Sequence, residues 1–362
     1  MTDPYASAGV DTEAGDRAVE LMKAAVSRTH GPGVLGGVGG FAGLFDLSAV
    51  GSYAHPLLAT STDGVGTKIA LAQAIDKHDT IGQDLVGMVV DDIVVVGAKP
   101  LFMTDYIATG RLVPERIADI VRGIAEACEA TGTALVGGET AEHPGVMDPD
   151  DYDVAGAAVG VVEADAVLGA ERVRTGDVVV AMASSGLHSN GFSLVRHILA
   201  ERGLALTDRV DDLGGVAAEV LLEPTRLYTL PLLEMLGAGL GIRSISHVTG
   251  GGIAVNLARV LPPHTAVEID RALWQVPQVF GALAQLGGFP LTEAEGTWNL
   301  GLGMLVVAPA DDAADVIARS ERAGIPAWTV GSVQPVPDDT AGWVQGAKGV
   351  AGGAVRLTGS YR

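Results

Sequence analysis

The chain has 362 residues, 48% hydrophobic but only 4% aromatic, with a formal net charge of −21. That length exceeds one ordinary core and suits two domains. The acidic field excludes nucleic acid and anionic membrane surface as natural partners, and a single cysteine, Cys128, excludes an intrachain disulfide or a cysteine-based zinc cluster. A small phosphorylated ligand remains compatible, held by backbone amides, a few cations or a carboxylate-bound metal.

Residues 1–15 are polar and acidic, with no apolar signal region, and no apolar run reaches membrane-spanning length without a charge. A cytoplasmic protein is expected. Val19, Met22, Ala25 and Val26 predict an amphipathic helix over 16–29. Residues 31–43, with Gly36-Gly37-Val38-Gly39-Gly40, are too glycine-rich for regular helix. The pattern then predicts a strand at 57–60, a helix at 79–97 and a strand at 100–107. A helix at 113–130, with Pro114 in its first turn and Cys128 as a small buried residue, precedes strands at 133–136 and 154–162. Charges at Glu171, Arg172, Arg174 and Asp177 mark a boundary. Beyond it come a strand at 178–183, a helix at 193–202, a linker-like stretch at 207–214, helical segments at 224–236 and 252–261, and strands at 301–307 and 327–331. Residues 346–362 are glycine-rich and expected to be mobile. The alternation predicts an α/β fold (α+β layered), with domains 1–170 and 171–362.

Five segments carry groups suited to chemistry. Ser61-Thr62-Asp63-Gly64-Val65-Gly66-Thr67-Lys68 follows the first strand. Its glycines let amides face a ligand, Asp63 offers Mg²⁺ an oxygen, and Lys68 offers a phosphate a point charge. An ordinary strand-to-helix turn accounts for the same residues. Asp84 and Asp91 stand two helical turns apart on one face, and Asp91-Asp92 interrupts an apolar run. A carboxylate there is costly unless paired or metal-bound, or one of the two faces solvent. Glu139 follows Gly137-Gly138 at a strand end and, with Asp63 and Asp91, completes three hard oxygen donors for Mg²⁺. His143, before Pro144, reads as a loop histidine.

In the second half, Ser184 to Ser193 packs Ser185, His188 and Asn190 between a strand and a helix, which suits a phosphate or amide ligand. Capping by Ser189 or Asn190 is the plain alternative. Ser246-His247-Val248-Thr249-Gly250-Gly251-Gly252 places three glycines before a helix, an anion cradle with His247 as donor or acid/base. Gly37 to Ala42 matches a loose dinucleotide-binding form, but no strand precedes it. Gly186 to Gly191 does not match the serine nucleophile elbow.

In this order and spacing, the segments resemble the phosphoribosylformylglycinamidine cyclo-ligase family over nearly the whole chain. The match begins at Tyr5-Ala6-Ser7-Ala8-Gly9-Val10-Asp11 and includes Gly39-Gly40-Phe41, Leu44-Phe45-Asp46-Leu47 and the Asp63 loop. It continues through Gly97-Ala98-Lys99-Pro100-Leu101-Phe102, Asp105-Tyr106, Gly137-Gly138-Glu139-Thr140, the His188 and His247 loops, and Pro224-Thr225-Arg226-Leu227-Tyr228. The resemblance implies ATP-dependent closure of formylglycinamidine ribonucleotide to aminoimidazole ribonucleotide, with release of ADP and phosphate. It implies an N-terminal domain whose mixed sheet pairs across a homodimer. That domain would bind ATP through Gly39, Gly40, Asp63, Gly64, Gly66, Thr67, Lys68, Asp105, Gly137, Gly138 and Glu139, with Asp63, Asp91 and Glu139 on Mg²⁺. A C-terminal sheet with packed helices would bind the substrate through Ser185, His188, Asn190, His247, Thr249, Gly250, Gly251 and Gly252. Lys68, His188 and His247 are the implied catalytic residues.

The chain departs from the family pattern twice. Asp91-Asp92 stands where Asn-Asp is usual, which leaves the role of Asp91 open, and Gly296-Thr297-Trp298-Asn299 lacks the usual Arg before its Thr. Other ATP users of similar fold fit less well. A selenophosphate synthetase-like enzyme wants a reactive cysteine in the glycine-rich segment, and a hydrogenase-maturation relative wants one near the C-terminus; Cys128 is in neither place. A thiamine-phosphate kinase-like reading lacks the match over the second half. A silent nucleotide-binding scaffold would lack Asp63, Asp91 and Glu139.

Overall fold

The computed structural model describes residues 12–37, 40, 42–346 and 348–362. The chain forms two compact units, one comprising the chain up to Val94 with Ala98–Asp165, the other Val95–Gly97 with Ala166–Arg362.

The first unit contains α1 (Thr12–Arg28), β1 (Pro56–Gly64), α2 (Ile69–Ala74), α3 (Ile81–Val94), β2 (Lys99–Thr109), α4 (Pro114–Thr131), β3 (Ala134–Glu142) and β4 (Tyr152–Glu163). The strands lie in the order β1-β4-β2-β3. Only β2 and β3 run parallel, as a helical crossover through α4 requires. Helices α3 and α4 cover one face of the sheet, and α1 packs on α4. Almost all of α3 is buried. It crosses α4 backbone to backbone: a Cβ on Gly82 would come within 2.0 Å of the Ile124 nitrogen, and one on Gly123 within 2.4 Å of the Asp79 carbonyl oxygen. Helix α4 starts with Pro114 and stops at the left-handed Gly132. Leu58 and Tyr106 stand exposed on the opposite face of the sheet, around the half-buried Ala155, Ala157 and Val159 of β4.

Two strands are longer than the sequence pattern predicts. β1 runs through Gly64, so Asp63 sits in a strand rather than in the following loop. β3 runs to Glu142, so Gly137-Gly138-Glu139 is internal to it. Pairing with β4 and β2 overrides the low strand preference of glycine.

The second unit contains β5 (Val178–Ala183), α5 (Phe192–Arg202), α6 (Ala217–Leu221), α7 (Thr229–Gly237), β6 (Ser244–His247), α8 (Gly252–Arg259), β7 (Thr265–Asp270), α9 (Gln278–Gly287), β8 (Leu302–Ala308), α10 (Ala313–Arg322), β9 (Ala327–Pro335), β10 (Val344–Gln345) and β11 (Ala354–Thr358). Its sheet has the order β6-β8-β5-β9-β7-β11-β10. Every residue of β8 is buried. β8 runs antiparallel to both β6 and β5, so the C-terminal ends of β6 and β5 emerge at one edge beside the start of β8. The helix predicted from residue 224 begins only at Thr229. Residues 354–358, expected to be mobile, form a strand paired in parallel with β7. Among the described residues no helix is long and apolar enough to cross a membrane.

Candidate active site

Strand register arranges the acidic groups of the first unit. Asp63 pairs with Gly156, Gly156 with Asp105, and Asp105 with Gly138, so these four form one row across the sheet. Residues in one row share a face, and in this row it is the helix-covered one. Glu139 belongs to the next row, beside the exposed Tyr106, and so projects from the opposite face. β1 and β3 are the two edges of the sheet, three strand spacings or roughly 14 Å apart. Asp63, Asp91 and Glu139 therefore do not converge on one ion within a single chain. Among the described residues no group of three or more His, Cys, Asp or Glu side chains could hold a metal. The sheet order, which spacing along the chain does not reveal, separates Asp63 and Glu139 of the expected Asp63, Asp91 and Glu139 set.

Asp63 itself is half-buried, its Oδ1 accepting the Gly64 amide at 2.7 Å. Gly66-Thr67-Lys68 forms a 3₁₀ turn after β1, with Gly66 at φ 73° and Thr67 exposed. Lys68 is completely buried, and its Nζ donates to Asp84 Oδ1 at 2.8 Å. Its ammonium therefore ties the turn to α3 rather than standing open to a phosphate. On α3, Asp91 is completely buried while Asp92 keeps partial access.

A cavity of about 540 Å³ lies between α1 and the β2–β3 edge, within the usual range for small-molecule sites. Gly40, Asp105, Gly137, Gly138 and Glu139 line it, with the apolar side chains of α1. Gly39, also expected there, lies outside the described residues, as do Phe41 and residues 5–11. Asp105 packs so closely on the backbone that a Cβ on Gly138 would come within 1.7 Å of its Oδ1. Burial pushes its carboxyl up to about 7, against a weaker opposing hydrogen bond from its own backbone. Cys128 is fully buried, and its thiol is pushed far up by burial and then by Asp105, which leaves it inert. The expected ATP residues thus fall into two groups on either side of β4: Asp63, Gly64, Gly66, Thr67 and Lys68 on β1 and the turn after it, and Asp105 on β2 with Gly137, Gly138 and Glu139 on β3 and Gly40 beside them.

In the second unit the loops after β5 and β6 meet. A Cβ on Gly250 would stand 3.4 Å from Asn190 Oδ1. Ser185, Asn190, Thr249, Gly250 and Gly251 are half-exposed and form the accessible rim. His188 lies beneath them, 1% exposed, at the left-handed φ of 60°. Its Nε2 accepts the Ser185 amide at 3.2 Å, and its ring packs 6.1 Å from that of Tyr228. His247 ends a strand rather than standing in a loop, and it too is buried. Helix α5 follows the left-handed Gly191, and Ser189 Oγ lies 3.2 Å from Thr225 Oγ1.

Sequence reasoning missed one organising residue of this unit. Asn299 donates to the Gly186 carbonyl oxygen at 2.8 Å and accepts from Ser184 Oγ and the Gly301 amide. The adjacent Trp298 is fully buried between Phe280 and Phe289. An Asn just ahead of a buried apolar strand is an available signal, but its partners Ser184 and Gly186 lie more than a hundred residues away.

Comparison with known proteins covers both units. The family profile "AIR synthase related protein, N-terminal domain" matches residues 46–162, and the corresponding C-terminal domain profile matches 174–344. The chain is 46% identical over 345 residues to a phosphoribosylformylglycinamidine cyclo-ligase of Shouchella clausii, spanning 95% of this chain and 99% of that one. It is 49% identical over 336 residues to the enzyme of that name from Anaeromyxobacter dehalogenans, spanning 92% and 96%. Among solved structures, thiamine-monophosphate kinase of Stenotrophomonas maltophilia shares the fold with a TM-score of 0.62 at 17% identity over 94% of this chain and 96% of that one. The hydrogenase maturation protein HypE, in complex with ATP, does so with a TM-score of 0.63 at 17% identity over 95% and 91%.

Proposed function

This chain belongs to the phosphoribosylformylglycinamidine cyclo-ligase family, and from that premise we propose how its residues perform the family's reaction. It is an ATP-dependent ligase of purine biosynthesis that closes formylglycinamidine ribonucleotide to aminoimidazole ribonucleotide, releasing ADP and phosphate. One observation carries this: identity of 46–49% to enzymes of that name runs through both units.

An amide oxygen is a poor leaving group. Its attack on the γ-phosphorus forms an O–P bond, breaks the bond to ADP and turns the oxygen into a phosphate ester. A nitrogen of the same molecule then attacks the activated carbon; the C–O bond breaks, phosphate departs and the nitrogen gives up a proton. Ring closure is intramolecular, so holding the two ends near each other supplies much of the acceleration. Positioning and charge neutralisation supply most of the rest.

ATP lies on the first unit. Mg²⁺ needs only one or two carboxylates when phosphates and water complete its shell, so the lack of a three-carboxylate cage does not count against it. Asp63 fits that role; Mg²⁺ there would neutralise phosphate charge. The working form is a homodimer joined through the open sheet face. The exposed Leu58 and Tyr106 support this. A cytoplasmic location belongs to the same reading.

Formylglycinamidine ribonucleotide lies on the second unit, its phosphate on the amides of Gly250 and Gly251 and its polar groups on Ser185, Asn190 and Thr249. The sequence pattern assigns catalysis to Lys68, His188 and His247. Their burial favours positioning instead: Lys68 holds the Asp63 turn to α3, and His188 holds the Ser185 amide. Purified protein is expected to consume ATP only with formylglycinamidine ribonucleotide present, forming one ADP per aminoimidazole ribonucleotide. Substrate-independent turnover, or none with this substrate, refutes the assignment.

A further inference from the structure

The loop over residues 294–301 touches both parts of the proposed substrate rim. At one end, a Cβ on Gly252 would lie 1.6 Å from the Glu295 carbonyl oxygen, so this loop presses on the cradle backbone itself. In its middle, a Cβ on Gly191 would lie 2.4 Å from the Trp298 ring. At the other end, Asn299 holds the Gly186 carbonyl and Ser184.

A side-chain cluster fastens this loop. Arg271 follows β7 and grips Glu295 with a fork, Nε to Oε1 at 2.5 Å and Nη2 to Oε2 at 3.0 Å. The remaining Nη1 donates to the carbonyl oxygens of Leu357 and Gly359, at 2.9 and 3.2 Å. Tyr361 donates its hydroxyl to Glu295 Oε1 at 2.7 Å, while its ring lies beneath Arg271 and edge-on to Trp274. Arg271 and Glu295 are only 14% and 19% exposed, so solvent screens the fork weakly. β7 and β11 are parallel neighbours, which delivers Arg271 and Tyr361 to the same end of the sheet.

We propose that Arg271 and Tyr361 are positioning residues for formylglycinamidine ribonucleotide, clamping the 294–301 loop through Glu295 so that the Gly250–Gly252 cradle and the Ser184–Gly191 loop keep their binding geometry. This rests on the reading that these two loops bind that substrate.

Steady-state kinetics on the full-length protein test it with Tyr361→Phe, Arg271→Ala and Arg271→Lys, alongside Asn190→Ala in the rim itself. Tyr361→Phe and Arg271→Ala are expected to raise KM for formylglycinamidine ribonucleotide roughly five- to twentyfold while KM for ATP stays within about twofold. Arg271→Lys, which keeps the charge but loses the fork, falls between Arg271→Ala and wild type. Thermal unfolding identifies any variant that merely fails to fold, and Tyr361→Phe removes only a hydroxyl. If Asn190→Ala raises that KM and Tyr361→Phe and Arg271→Ala do not, or if they raise both KM values equally, the clamp is refuted while the rim stands. If Asn190→Ala also leaves it unchanged, the rim assignment fails and the clamp falls with it.

Discussion

Asp105 carries a carboxyl that burial holds at about 7, against an ordinary value of 3.8. A carboxyl raised in this way takes up a proton on folding. The stability it lends is complete below about pH 4 and is lost as pH climbs to about 7. Asp105→Asn removes the titration, so the variant should gain on wild type across that window and keep the gain above it. At about 1.4 kcal/mol per pKa unit the gain has an upper limit near 4 kcal/mol. Denaturant unfolding from pH 4 to 8 measures it; parallel stability curves for the two proteins would show that Asp105 is not held neutral. Asp63 behaves differently because it is half-buried and bonded to its neighbouring amide. Asp63→Asn should leave the melting temperature nearly unchanged and raise the Mg²⁺ concentration for half-maximal activity roughly tenfold. Unaltered Mg²⁺ dependence would remove Asp63 from the metal.

At the scale of elements, the crossing of α3 and α4 sets where the acidic residues of α3 fall. Gly82 and Gly123 let the two backbones touch, and a methyl group at either meets main-chain atoms that cannot rotate away. Gly82→Ala should destabilise the protein by about 1–3 kcal/mol, and activity should fall with it because Asp84 and Lys68 ride on the same packing. Unfolding measured beside Km for ATP decides this; an unchanged midpoint would mean that the helices separate without penalty. The extension of β1 and β3 is a second effect at this scale. Asp63 and Glu139 lie in segments whose glycines read as loop, and backbone pairing with β4 and β2 makes them strand. No local preference carries that information.

For the molecule as a whole, the open face of the first unit's sheet is the consequential surface. Leu58, at 63% exposure, stands there with Tyr106. Leu58→Glu on the proposed dimer face should shift light-scattering mass from dimer to monomer. A monomeric wild type overturns the proposed homodimer. The sequence by itself determined the chemical vocabulary: an acidic two-part α/β chain, with Asp63, Glu139, His188 and Gly250–Gly252 in an order that resembles one enzyme family. Those features are local, because composition, glycine spacing and helical periodicity act within a few residues. Tertiary structure alone decided which of those groups can act together. Sheet order sent Asp63 and Glu139 to opposite edges, burial took Lys68 and His188 out of solvent, and contacts across dozens to more than a hundred residues made Asn299 and the Arg271–Glu295–Tyr361 cluster organisers of a rim whose glycines were already legible.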